Sequence, residues 1–214
     1  MEQKENKNDA QPDYDGAIAY ALFRLRTELS PLLTYHDLMH TKDDVLPAVT
    51  RLARLSNLPG PDIHLLEVGA AFHDIGQIKT SLGHEQVGIE IMSAVLPGLG
   101  FSASDIDRVK NMIQATKMPQ TPLNNEQALL ADADLDSLGR DDFFLSSKAL
   151  WHERAACGMD IPWQTWLENQ LQFLQTHQYF TQTARTLRQE GKLKNIELLK
   201  RLIRGEPVPE WIGK

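Results

Sequence analysis

Seven histidines are spread along the chain, and three places set one beside, or supply, further groups able to bind a metal ion or move a proton. His36 and His40, in Tyr35-His36-Asp37-Leu38-Met39-His40, are four residues apart, so on a helix both imidazoles leave one face. One can ligate a metal while the other reaches a substrate. His73-Asp74 follows the apolar run Ala70-Ala71-Phe72, which places two ligating groups at the edge of a predicted core. Neighbouring residues on a helix diverge by about 100°, so this pair shares an ion only over a helix end or between helices. The third place is Asp132-Ala133-Asp134-Leu135-Asp136, an acidic cluster inside an apolar helical stretch. Two histidines and two carboxylates form a mixed nitrogen and oxygen set suited to Mn, Fe, Ni, Co or Zn and less comfortably to Mg. With fewer than six protein ligands, positions stay open for water and substrate, as hydrolysis requires.

The elements that must hold these groups read as helices almost throughout. Apolar residues recur at three and four over 14–29 until Ser30-Pro31 interrupts them. A second helix is expected over 38–55, kinked or divided at Pro47, and a third is capped by Asp62 and runs towards Phe72, with Gly76 just past its end. Further helices are expected at about 84–96, 103–117, from Asn124 or Asn125 to about Leu138, and at 141–157, 162–177 and 181–204. No strand alternation persists and no internal repeat occurs, so the expectation is an all-α, single multi-helix domain. Residues 1–13 read as a flexible leader and 14–214 as the domain, with its motifs in about 35–140, its C-terminal helices in 141–205, and a tail bearing Trp211.

The composition narrows the function classes. The 214 residues are 42% hydrophobic and 24% charged, enough to bury a core, so a disordered or fibrous chain is excluded. With 22 Lys+Arg against 29 Asp+Glu, the formal charge is −7, which argues against nucleic acid or a membrane surface as partner and leaves room for one small anion. The single cysteine, Cys157, cannot form an internal disulfide, and MEQKENKNDAQPD holds no apolar stretch of a signal peptide, so the expected address is the cytoplasm. No window approaches the ~18 apolar residues of a membrane helix.

The ordered set His40, then His73-Asp74, then Asp132 or Asp134 resembles the H…HD…D signature of the HD-domain superfamily of metal-dependent phosphohydrolases. The Tyr-His-x-x-x-His start, the apolar run into His-Asp-Ile-Gly and the late Ala-Asp agree with that family in order and approximate spacing. The resemblance implies an HD fold and hydrolysis of a phosphoester or phosphoanhydride of a phosphorylated small molecule, a nucleotide or cyclic nucleotide, by metal-activated water. It implies a divalent cation on His40, His73, Asp74 and one later aspartate. Asp132, preceded by Leu-Ala and followed by Ala, is favoured as that ligand over Asp134, which precedes Leu and would orient water. His36 and Asp74 are the implied catalytic residues, with His36⁺ or His84⁺ as proton donor.

His84-Glu85-Gln86-Val87-Gly88 resembles the later histidine of family members that hold two metals. Their further histidine corresponds here to Ala115, which cannot ligate, so the dinuclear set is incomplete and a di-iron oxygenase of this family is disfavoured. His84 then becomes a substrate-phosphate contact, a group behind a metal ligand, or at most a weak ligand of a second metal, with Lys117, Lys79 and Arg140 as cationic candidates for phosphate oxygens. The alternative from another class is a non-catalytic HD-fold signalling or ligand-binding module. Asp136, Asp141 and Asp142 read as solvated or capping, and His64, His152 and His177 as surface or packing residues. Trp151, Trp163, Trp166, Phe173, Tyr179 and Phe180 read as core rather than as a platform for a base. The last helix, with Leu193, Ile196, Leu199 and Ile203, suits docking on the domain or a homodimer surface better than a membrane.

Overall fold

The computed structural model describes residues 11–208, and every regular element among them is helical, as expected. Residues 1–10 of the expected leader and Trp211 lie outside the described residues. Residues 11–13 belong to the ordered chain: the Asp13 amide donates to the Leu99 carbonyl (2.9 Å) and its carboxylate accepts from the Gly16 amide (2.8 Å). That carboxylate caps α1 (Tyr14–Glu28), which buries Ala17, Ala21 and Leu25 at intervals of four.

The second helix is not simply kinked at Pro47. A π-helical turn, His40–Val45, passes directly into α2 (Leu46–Leu55), and the Leu46 amide reaches back five residues to Thr41. Pro47 lies in the first turn of α2. There it lacks a donor and its ring would crowd the carbonyl four residues back, and the wider turn upstream accommodates both. α3 (Gly60–Phe72) starts with Pro61 in its first turn rather than with an Asp62 cap. The Asp62 carboxylate instead accepts from Arg108, which also pairs with Glu126. Leu65, Leu66 and Val68 to Phe72 are all buried, so α3 is the central rod of the fold, touching α1, α2, α5 and α6.

A short 3₁₀ turn, Ile75–Ile78, leads to α4 (His84–Val95), and another, Leu96–Leu99, to α5 (Ala103–Thr116), capped by the Ser102 hydroxyl. α6 (Asn125–Asp134) is capped by Asn124 and ends earlier than expected, giving way to a 3₁₀ turn at Asp136–Gly139. α7 (Phe143–Ala156), α8 (Trp163–Thr176) and α9 (Gln182–Ile203) complete the chain. The first six helices share one apolar core; Leu138, Phe143, Phe144, Leu167, Leu174 and Leu199 form a second.

Polar contacts join the two cores. Asp136 is buried, and both Arg51 and Arg188 donate to its two oxygens, so it is neither solvated nor a cap. α9 turns a mixed face inward, burying Lys192 and Asn195 as well as Ala184 and Leu199. Lys192 donates to the His177 carbonyl (2.6 Å), and Asn195 donates to the carbonyls of Leu138 and Arg140 (3.0 and 2.9 Å). Of the expected stripe, Leu199, Ile196 and Ile203 pack on the second core, whereas Leu193 is 55% exposed. No helix among the described residues is long and apolar enough to cross a membrane.

Gly76 is a point of close approach between backbones. A Cβ there would stand 1.9 Å from the His84 carbonyl oxygen and 2.8 Å from the Gly88 nitrogen, so α4 can seat against the turn after His73-Asp74 only because position 76 has no side chain. Gly76→Ala is expected to lower the unfolding free energy by about 1–3 kcal/mol through overpacking. An unchanged urea midpoint would show that α4 is not seated there.

Candidate metal centre and its cavity

α3 ends at Phe72 and delivers His73 and Asp74 together, both buried. The His73 Nδ1–H donates to the Ala70 carbonyl at 2.7 Å, which fixes the tautomer and turns Nε2 away from the helix. His40 enters from the π turn, a geometry often found where a helix must aim one side chain. Its Nε2 lies 3.4 Å from Asp134 Oδ1 and 3.7 Å from Asp74 Oδ2. His73 Nε2 lies 3.5 Å from the same Asp134 oxygen and 3.2 Å from Asp74 Oδ2. Ligating atoms of His40, His73 and Asp74 all fall within 4.8 Å of one another, a cluster that could hold a metal ion.

In the acidic stretch after Ala131, Asp132 does not reach the cluster. It is Asp134, at the C-terminal end of α6, that meets His40 and His73. The carboxylate of Asp132, favoured from the sequence, accepts from the Phe180 amide (2.8 Å), the Thr181 amide (2.8 Å) and the Thr181 hydroxyl (2.7 Å). Two residues turn about 200° around a helix, so one aspartate faces the cluster while the other faces α9. Thr181 in turn caps α9, which makes Asp132 an anchor for that helix.

His84, first residue of α4, donates from Nδ1 to the Ser81 carbonyl (3.0 Å) and sets Nε2 3.1 Å from Asp74 Oδ1. His36 lies at the edge of the cluster, its ring 6.0 Å from that of His40 and 6.3 Å from that of His84. Its partner is Glu153 of α7, 117 residues away and 5% exposed. One Glu153 oxygen meets His36 Nδ1 at 2.5 Å, and the other accepts the backbone amides of Tyr35 and His36 at 2.8 and 2.9 Å. Nothing in the sequence near Glu153 marks it, because its role depends wholly on where α7 docks.

Burial by itself disfavours charge on His36, His73, His84, Asp74, Asp134 and Glu153, and their mutual contacts reverse that. The imidazoles hold the carboxyls of Asp74 and Asp134 well below the ordinary range, and the two carboxylates raise His73 well above the usual imidazole value. For His36, burial lowers the pKa, but the Glu153 hydrogen bond and the charges of Asp74, Glu153 and Asp134 raise it more; Glu153 is lowered in return.

The cluster opens into a cavity of about 400 Å³, lined on one part by His36, Asp74, His84, Glu85 and Asp134 and on another by residues of α7 and α8. A larger hollow of about 670 Å³ beside α2, lined by Arg51, Arg54 and Glu67 among others, has no such convergence of ligating groups. None of the three expected phosphate cations lines the cavity. Lys117 is exposed and lines a separate hollow with Asn111 and Gln114, although its neighbours Thr116 and Met118 line the cavity. Lys79 is exposed and close enough to Glu28 to act on its charge. Arg140 is held by Asp44 and Asp142 (2.6 and 2.7 Å), so Asp142 pairs rather than being merely solvated. Arg154, unmarked in the sequence, does line the cavity. Trp166 and Phe173 also reach it, beyond their expected packing role.

Residues 46–137 match the model of the family described as HD domain. This span takes in His73, Asp74 and Asp134, whereas His36, His40 and Glu153 lie outside it. No curated protein matches the chain. Among solved structures, an HD superfamily hydrolase, so described by prediction, from an uncultured Thermotogales bacterium is 20% identical with a TM-score of 0.60, over 91% of this chain and 93% of that one. Bacillus subtilis YpgQ, solved in complex with ADP, is 21% identical with a TM-score of 0.61, over 89% of this chain and 97% of that one. At these identities the likeness establishes a shared fold.

The His36–Glu153 pair has a definite pH window. A raised imidazole pKa stabilises the fold fully below the ordinary value near ~6.5, and that contribution is lost as pH rises through the raised value. A depressed Glu153 stabilises above its ordinary value near ~4.3 and loses that contribution as pH falls through the lowered one. Glu153→Gln removes the charge and is expected to move the His36 titration, followed by NMR, to lower pH. A midpoint that stays in place would show that Glu153 does not set it.

Proposed function

We propose that this chain, which carries an HD domain over residues 46–137, is a phosphohydrolase that holds a divalent cation on His40, His73, Asp74 and Asp134. The observation that carries this reading is a pair of atoms, His73 Nε2 and Asp74 Oδ2, buried side by side without a hydrogen-bond partner. Leaving a buried polar atom unpaired costs about 1–3 kcal/mol, so a fold that keeps two of them together, next to further imidazole and carboxylate groups, is arranged for a ligand that all of them can share. A mixed nitrogen and oxygen set fits Mn, Fe, Ni, Co or Zn better than Mg.

A cation bound there supplies a Lewis acid for a phosphoryl oxygen and acidifies a water molecule towards pH ~7. The protein's own residues do the rest. Ala70 fixes the His73 tautomer, so its free nitrogen is always the one facing the cluster. His84 is held by Ser81 and contacts Asp74, which fixes the orientation of that carboxylate while the imidazole lines the cavity beside the substrate. Since Nε2 of His84 is engaged by Asp74, the proton for the leaving oxygen falls to His36. Glu153 holds Nδ1 of that ring, leaving Nε2 to donate, and its hydrogen bond and charge shift the imidazole towards its protonated form. The substrate is a phosphorylated small molecule. A nucleotide is favoured by the apolar and aromatic residues that line part of the cavity, and by the ADP held in the similar fold of YpgQ.

The test is metal content per chain followed by phosphate release from nucleotides and simple phosphate esters with Mn²⁺, Ni²⁺, Co²⁺ and Mg²⁺. Asp134→Asn is expected to lose bound metal and to reduce turnover by more than the roughly 10–100-fold that loss of an outer partner of a ligand costs. Asp132→Asn should retain the metal and instead melt earlier. The reverse order would move the fourth ligand to Asp132, and release of phosphate from no substrate with any metal would defeat the hydrolase reading.

A further inference from the structure

Trp166, Asn169, Gln170 and Phe173 line the cavity, and their positions i, i+3, i+4 and i+7 make one continuous stripe along α8. A stripe that served only to bury a helix would be apolar at all four positions. Here two aromatic residues bracket two carboxamides, and neither amide has a hydrogen-bond partner among the described residues. Trp166 is a rigid member: it is 5% exposed, and its indole N–H donates to the Ser147 hydroxyl at 3.0 Å. Leu150 and Ile161 extend the apolar lining, and Arg154, which meets the Met159 thioether rather than a carboxylate, is the one Lys or Arg among the residues that line the cavity.

This surface differs in kind from the His and Asp cluster in the same cavity. Flat apolar faces accept a planar ring, and a carboxamide offers both donors and an acceptor to the edge of such a ring. With Arg154 as its one Lys or Arg, the part of the cavity beside α8 does not suit a group bearing several negative charges. We infer that this stripe of α8 determines substrate specificity, Asn169 and Gln170 hydrogen-bonding the edge of a planar, uncharged heteroaromatic ring that forms the organic part of the phosphorylated substrate. The inference rests on the hydrolase reading above and adds to it the residues that choose among substrates.

The metal-loaded protein is assayed for phosphate release from nucleoside mono-, di- and triphosphates of the four common bases and from phenyl phosphate, whose ring edge carries no hydrogen-bonding group. Wild type is expected to separate the best from the poorest base by about tenfold or more in kcat/KM, the scale of one or two net hydrogen bonds. In Asn169→Ala/Gln170→Ala that spread should shrink to about twofold, with metal content unchanged. Asn169 is exposed, so the single variant Asn169→Ala keeps the comparison sound if the double variant folds poorly. A wild type without preference, or a preference retained in the variants, overturns this inference and leaves the hydrolase reading standing. No release from any compound, phenyl phosphate included, overturns both.

Discussion

Asp74 and Asp134 reach the same two imidazoles in a place from which water is largely shut out, and ionised carboxylates persist there only where positive charge meets them. Three separate parts of the chain must therefore arrive together: the end of α3, the π turn before α2, and the end of α6. Each ends or distorts its helix at the cluster. A carboxylate or imidazole at a helix end has more freedom to point along the axis than one in mid-helix, and the ion proposed here would be approached in that way. The apolar burial of the C-terminal half of α3 holds the convergence rigid.

Within five residues, three aspartates of one acidic stretch take three different partners. Asp132 binds the start of α9, Asp134 faces His40 and His73, and Asp136 is clasped by Arg51 and Arg188. The first and third connect the two apolar cores and so place α7 to α9 relative to the cluster. This docking brings Glu153 against His36 and the α8 stripe to the cavity. The chemistry of the site and the packing of the C-terminal helices are thus parts of one arrangement, with α6 as the shared support.

Much of this was legible in the chain itself, for physical reasons of short range. Asn124, one of two asparagines expected to open α6, caps it, and the helices of the C-terminal third begin and end within about two residues of expectation. Apolar periodicity and capping act within one or two turns, so a sequence displays them directly. The same holds for the order of His40, His73 and Asp74, whose types and flanking residues pointed to one centre before any coordinate did.

What only the tertiary structure decided depends on which way a helix faces. Asp132 and Asp134 carry the same group in nearly the same surroundings of sequence, and their roles differ because α6 turns one towards residues 48 and 49 places later in the chain. Arg140 looked available for phosphate until Asp44, 96 residues away, was found to hold it, and Glu153 acquired a role through a partner 117 residues distant. The chain by itself determined its helices, its core-forming faces and the kinds of group able to bind a metal. The docking of those helices decided which groups meet, because contact between charged and hydrogen-bonding side chains is set by distance in space and leaves no periodic mark in the sequence.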